Sequence, residues 1–251
     1  MKTSPADFAA VLLTLVVLLS GETRAQNALP PFIKQRCSAS DPEFNTCITG
    51  VTRSVAKQFA KGIKELDIPS IDPVTLNKIN IDVPGLKITF SNVTLLGLSG
   101  VRVDDLKKNL VTKKAVFDFA ANLIMKGHYK MDGRVVVLPI QGDGDFVIHL
   151  TNMSFHLRYK FDTVKGSGGK DYWQVTSYKQ TYKLDRATFD LKNLYNGNEF
   201  LAETTLKFIN ENWELIMNDI APAAVEQICD TCVRATNKFF SKVPIEELVL
   251  P

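Results

Sequence analysis

Between Asp41 and Leu66 the apolar residues Phe44, Ile48, Val51, Val55, Phe59, Ile63 and Leu66 recur at steps of three and four, the spacing that gathers them on one stripe of a helix. Arg53, Lys57, Lys61 and Lys64 fall roughly opposite, so the pattern predicts one apolar and one cationic face. Ser40 with Glu43 offers a capping box, and Pro42 suits a first helical turn. At about 1.5 Å per residue this helix would run roughly 40 Å, and something long and apolar must cover its stripe.

The segment after it, Asp67 to Pro84, carries Pro69, Pro73 and Pro84 and reads as part loop, part strand around Ile79–Ile81. Then the period falls to two. Leu86, Ile88 and Phe90 alternate with Lys87, Thr89 and Ser91, and the phase flips near Asn92 so that Val93 and Leu95 become the apolar set. Phe117, Phe119, Ala121, Leu123 and Met125 continue the alternation. Tyr129 to Ile140 reads as a hairpin around Met131-Asp132-Gly133, followed by an apolar run that Pro139 and a turn at Gly142-Asp143-Gly144 close. Phe146, Ile148 and Leu150 precede a second flip near Thr151, after which Met153, Phe155, Leu157, Tyr159 and Phe161 take over. Strands that change face in this way predict a strongly curled sheet. Tyr172 to Leu184 and Ala187 to Leu194 extend it, with the glycines at 166–169 at a hairpin tip.

Helical spacing returns near Leu206 in Ile209, Trp213, Ile216, Ile220, Ala224, Ile228, Cys232, Ala235 and Phe239, with Pro222 expected to kink or interrupt the run. The order helix, antiparallel sheet, helix is an α+β arrangement. No repeat of constant period is visible.

Lys2 and the apolar run Phe8 to Leu19, ending in small and polar residues at Thr23-Arg24-Ala25, form a secretory signal pattern too short to span a bilayer. The domain reading is therefore a signal peptide at 1–25 and a single domain at 26–251, secreted and extracellular. A net charge of +3 argues neither for nucleic acid nor for a strongly basic membrane binder. In a secreted chain the four cysteines read first as disulfides. Three pairings are open: Cys37 and Cys47 flank a short loop before the helix, while Cys229 and Cys232 stand at helical spacing as a local bridge, an intermolecular pair or thiols.

Chemistry for an enzyme is sparse. Gly97-Leu98-Ser99-Gly100-Val101 fails the nucleophile-elbow pattern at its last position. The run Gly166-Ser167-Gly168-Gly169-Lys170 lacks the first glycine of a phosphate loop. His149 and His156, seven apart on a strand pattern, should point to opposite faces and make no metal pair. No catalytic residue, metal or cofactor is expected. Asn92-Val93-Thr94 and Asn152-Met153-Ser154 are glycosylation acceptors, so Asn92 and Asn152 are candidate modification sites.

With the segments laid out, the chain resembles the insect takeout and juvenile-hormone-binding protein family across essentially its whole mature length. The resemblance lies in Pro31-Phe32-Ile33-Lys34, in Cys37 through Cys47, in Ile68-Pro69-Ser70-Ile71-Asp72-Pro73, in Tyr129 through Gly144, in Asn193-Leu194-Tyr195-Asn196-Gly197, in Ile209 through Trp213 and in Pro244 through Leu248. It implies a highly curved antiparallel sheet wrapped around a long N-terminal helix, with a second long C-terminal helix and an elongated apolar tunnel, the architecture of half a tubular lipid-binding protein. It also implies a Cys37–Cys47 disulfide and a monomeric secreted carrier of a hydrophobic small molecule such as juvenile hormone, another terpenoid or a fatty ligand. The Cys229–Cys232 pair departs from the family pattern.

Candidate lining residues are Val55, Phe59, Phe117, Phe119, Phe146, Phe155, Tyr159, Trp173, Phe189 and Trp213, with Tyr129, Tyr159, Thr151 and Tyr178 as candidate polar anchors. The competing readings are a lipid-ester hydrolase on the same fold and a ligand-free extracellular interaction or signalling protein.

Overall fold

The structure, a computed structural model, describes residues 29–135 and 138–251; the expected signal peptide lies outside them. In chain order the elements are β1 (Cys37–Ser38), α1 (Phe44–Ala60), β2 (Val74–Val83), β3 (Leu86–Leu96), β4 (Arg102–Asn109), β5 (Lys114–Val135), β6 (Leu138–Lys165), β7 (Asp171–Lys183), β8 (Arg186–Leu191), α2 (Glu199–Glu211), α3 (Trp213–Phe240), α4 (Ile245–Leu248) and β9 (Val249–Leu250). The fold is the expected α+β arrangement, a seven-stranded curved antiparallel sheet with helices against it.

Two long strands organise the sheet. β5 and β6 pair from Lys114 opposite Lys160 to Val135 opposite Leu138. Each borrows different partners along its two halves. β4 covers the start of β5 and β3 its end, while β8 covers the first half of β6 and β7 the second. β2 lies outside β3.

Both changes of partner sit beside the second phase flip, while the first lies within the pairing of β3 with β5. Asn92 and Val93 together oppose Gly127, and Thr151 and Asn152 together oppose Asn122. Asn92 and Asn152 take φ of 50° and 47°, a left-handed conformation that asparagine tolerates better than most residues. The extra residue in each bulge reverses the alternation, which keeps Phe90 and Val93, and likewise Leu150 and Met153, buried on the same inner face.

The open sheet leaves strand edges whose backbone groups need partners. Helices supply them. On α1, Thr49 Oγ1 accepts from the Leu106 amide at 2.9 Å and donates to the Leu106 carbonyl at 3.2 Å. One turn earlier Asn45 accepts from the Lys108 amide at 2.8 Å, and one turn later Arg53 Nε donates to the Val103 carbonyl at 3.1 Å. Asn45, Thr49 and Arg53 are four apart and so share a helix face. Asn237 of α3 brackets Val175 of β7, accepting from its amide at 2.7 Å and donating to its carbonyl at 3.0 Å. Asn210 of α2 does the same for Phe189 of β8, at 2.8 and 3.0 Å. An asparagine amide offers the same donor and acceptor as a peptide, so each side chain stands in for a missing strand residue.

Several details differ from the sequence reading. The first helix stops at Ala60, and Lys64–Leu66 form a separate 3₁₀ turn. Gly62 ends it: φ is 83°, and a Cβ there would lie 2.7 Å from the Ser70 amide. The capping box is not made, because the Glu43 amide donates to the Asp41 carboxylate instead. Arg53 is exposed, as its cationic face predicts, and it also bonds the backbone of β4. The longer helix is α3, 28 residues that run through Pro222 without interruption, and the break falls upstream at Asn212. The hairpin turn expected at Met131–Gly133 is strand, and β5 and β6 stay paired as far as Val135 opposite Leu138. Gly142 to Gly144 is also strand. Tyr129 lies across Gly142, where a Cβ would come within 2.5 Å of its hydroxyl, so close approach rather than a turn requires that glycine.

At the termini of the described chain, β1 and β9 pair in parallel, Cys37 opposite Val249. The Cys37–Cys47 disulfide ties this pair to the first turns of α1, with the Cα atoms 5.8 Å apart.

Replacing Thr49 by Val keeps the side-chain volume but leaves the Leu106 amide and carbonyl without partners. The expected cost is about 1–3 kcal/mol in denaturant unfolding, whereas Lys57→Ala should stay within about 0.5 kcal/mol. Equal midpoints for the two variants would show that the edge bonds do not hold α1.

Candidate functional site

An apolar cavity of about 360 Å³ lies between the inner face of the sheet and the helices, within the range of roughly 300–1,000 Å³ typical of small-molecule sites. β3, β4, β5, β6 and β7 supply one wall, and α1 and α3 supply the other. The strand contribution follows from the alternation: Phe117, Phe119, Leu123 and Met125 of β5 face inward together. Phe119 stacks on Phe155 of β6, with ring centroids 4.9 Å apart and planes within 14°, and Phe117 lies 4.8 Å from Phe119.

Of the ten lining candidates, Val55, Phe59, Phe117, Phe119, Phe155 and Tyr159 stand on the cavity wall. The other four do not. Phe146 is 1% exposed and packs on Phe90 in the filled core. Phe189 is buried at the Asn210 clamp. Trp213 begins α3 and packs partly buried against the main core, and Trp173 belongs to a separate aromatic cluster. The reading missed α3, which contributes a continuous stripe including Met217, Ile220, Ala224, Ile228, Val233 and Phe239. Its spacing was visible in the sequence; which side of it meets empty space was not.

Polar groups on the wall are few. Thr236 is engaged by the Cys232 carbonyl at 2.9 Å. Tyr159 alone among the four anchor candidates lines the cavity, and burial pushes its phenol far above the usual tyrosine range, so it is an O–H donor at neutral pH. Tyr129 is sealed in the core and donates to the Lys192 carbonyl at 2.7 Å. Tyr178 donates to Asp230 at 2.5 Å, and Thr151 is exposed on the outer side.

Cys229 and Cys232 are both thiols and both line the cavity. Burial, with the neighbouring Cys232 and Asp230, pushes Cys229 up to about 12. Burial pushes Cys232 up to about 11 against the opposing pull of Arg234. These shifts are opposite to those of a redox-active Cys-x-x-Cys pair. The histidines are elsewhere. His128 bonds Asp143 at 2.7 Å and Asp145 at 3.2 Å on the surface, and hydrogen bonding to both carboxylates raises its pKa. His156 bonds Asp118 at 2.6 Å. The bulge at Asn152 puts His149 and His156 on the same exposed face, contrary to strict alternation, but seven residues of strand keep them about 20 Å apart. Among the described residues no cluster of His, Cys, Asp or Glu could hold a metal.

Beside the cavity lies one buried cation. Lys108 of β4 is 7% exposed, with Nζ 3.0 Å from the centre of the Trp173 ring, 4.2 Å from that of Phe161 and 5.2 Å from that of Phe240. Burial holds its pKa well below the usual lysine range, while the ring faces favour the ammonium.

The family model for haemolymph juvenile hormone binding protein matches residues 11–250. The chain is 27% identical over 260 residues to the circadian clock-controlled protein daywake of Drosophila yakuba, covering 98% of each chain. It is 21% identical over 217 residues to a putative beta-carotene-binding protein of Schistocerca gregaria, covering 85% of this chain and 87% of that one. The crystal structure of Epiphyas postvittana Takeout 1 superposes with a TM-score of 0.81 at 31% identity, covering 85% of this chain and 98% of that one.

The raised thiol values make a pH prediction. Native protein at pH 8 should react with iodoacetamide at Cys229 and Cys232 at least about a hundredfold more slowly than the denaturant-unfolded chain, and more slowly at Cys229 than at Cys232, because the thiolate fraction falls as the pKa rises. Mass spectrometry of timed samples measures this. Equal rates in folded and unfolded protein would place the thiols outside the cavity wall.

Proposed function

Because the chain belongs to the haemolymph juvenile hormone binding protein family, we propose that it carries an apolar small molecule in this cavity through extracellular fluid. The observation that carries the reading is an apolar cavity between sheet and helices whose wall has no histidine and no carboxylate. Burying apolar ligand surface yields roughly 25 cal/mol per Å², so a terpenoid or fatty chain of about 15–20 carbons is held largely by shape. The Tyr159 hydroxyl is suited to a single polar group on such a ligand. The same wall counts against a lipid-ester hydrolase: its thiols are held protonated, and no histidine or carboxylate lines the cavity with them to activate a nucleophile.

Secretion follows from the N-terminal signal pattern and agrees with the Cys37–Cys47 disulfide. No helix among the described residues is long and apolar enough to cross a membrane. Glycosylation is proposed at Asn92, exposed in its bulge, and at Asn152, whose amide also donates to Asp185 at 2.8 Å.

Native mass spectrometry of the purified protein is expected to detect a co-purified apolar lipid. Ala224→Trp, which fills the cavity from α3, should weaken binding of a neutral apolar fluorophore more than about tenfold without lowering the unfolding temperature, since the new ring enters empty space rather than a packed core. An Ala224→Trp protein that binds the fluorophore as tightly as the wild type would sink the carrier reading.

A further inference from the structure

Lys108 is the one buried acidic or basic side chain among the described residues, and its position relates it to the cavity. It lies opposite Ala115 of β5, and Ala115 lies opposite Tyr159 of β6, so the three share the inner face of the sheet. Leu106, Phe117 and Leu157 form the adjacent row on that face, and all three line the cavity. The rows are two residues apart, about 7 Å along the strands. Lys108 therefore closes one end of the apolar space. The smallest side chain of its row, Ala115, stands between it and the Tyr159 phenol. Phe240 belongs to both regions: it lines the cavity, and its ring forms one side of the aromatic box.

The box satisfies the ammonium only in part. Trp173 and Phe161 present π faces at short range, but a ring quadrupole compensates a desolvated charge less well than an anion does. Among the described residues no carboxylate is within ion-pair distance of Nζ. The backbone at this point is fixed from outside, because Asn45 of α1 accepts from the Lys108 amide.

We propose that Lys108 is the anchor for the headgroup of an anionic amphiphile, so that the cavity takes an ionised long-chain carboxylic acid in preference to the neutral alcohol or ester of the same chain. The inference rests on the carrier reading. The tail lies along the wall of Phe117, Phe119 and Phe155, and the carboxylate, displacing the Phe240 ring, reaches the ammonium with the Tyr159 hydroxyl as second donor. The ion pair forms in a water-poor end of the cavity, where a charge-assisted hydrogen bond is stronger than in water.

The test compares hexadecanoate, hexadecan-1-ol and methyl hexadecanoate as competitors of a neutral apolar fluorophore, on wild type and on Lys108→Met. In the wild type hexadecanoate should bind at least about tenfold more tightly than the alcohol or the ester, as expected of a hydrogen bond to a charged group. In Lys108→Met that preference should vanish while alcohol and ester affinities stay within about twofold. Methionine keeps a stem of similar length and lacks the ammonium group, so a merely structural lysine would shift all three ligands together, and that result overturns the proposal. Acid preference that persists in the variant overturns it as well. If the variant does not fold, the wild-type comparison decides, since equal affinities for acid and alcohol refute an ammonium anchor. A wild type that displaces the fluorophore with none of the three removes the carrier reading itself, and this inference with it.

Discussion

An open sheet must do something with its edges, and here that requirement determines where the helices lie. Asn45, Thr49 and Arg53 fasten α1 to β4, Asn210 fastens α2 to β8, and Asn237 fastens α3 to β7. These are directional bonds of fixed length between helix side chains and strand backbone. They set how far each helix stands from the sheet without requiring the facing apolar surfaces to interdigitate. A helix held only by hydrophobic packing would settle until the gap closed, because every unfilled ångström forfeits dispersion contacts. Edge bonding lets a cavity persist in a folded chain. The two bulges act together with it: by reversing the alternation at Asn92 and Asn152 they keep apolar side chains inward along strands long enough to curl around that space.

The cavity and the core are therefore built differently within one molecule. Ile79, Tyr129 and Phe146 sit where side chains meet closely from all sides, with almost no exposed surface. Phe119, Phe155 and the α3 stripe have partners on one side and space on the other. The polar groups divide in the same way. Those that fix the frame, such as the Tyr129 hydroxyl on the Lys192 carbonyl, are fully engaged. The Lys108 ammonium, near the hollow, is met by aromatic rings rather than by a carboxylate.

Much of this was written in the order of apolar residues. The inward set of β5, both phase flips and the helical stripe from Ile209 to Phe239 were all legible, because burial imposes periods of 2 and 3.6 directly on the sequence. β4 was not. Arg-Val-Asp-Asp-Leu-Lys-Lys-Asn carries too many charges to read as a strand, yet charge is what an edge position tolerates. The clamps were hidden for a related reason. Arg53 is exposed as expected, but its bond to β4 went unread because a sequence shows that a side chain is polar and not which backbone lies within its reach. Glycine misled at 142–144, where the tyrosine ring packed over the strand has no local signature. For the ten lining candidates, apolar character could not separate Phe119 from Phe146. Both are inward-facing phenylalanines, and they differ only in whether the opposite side is occupied.

The one-sided packing of the wall has a consequence for how such a protein changes over generations. Enlarging or trimming Phe119, Ile228 or Val233 trades against empty volume rather than against neighbouring atoms, so the penalty that usually polices a protein interior is relaxed there. The residues that hold the frame, Thr49, Asn210 and Asn237, enjoy no such latitude, since each leaves a strand amide stranded when lost. Drift should accordingly reshape the lumen while the scaffold stays put, letting one architecture be retuned from one lipid to the next.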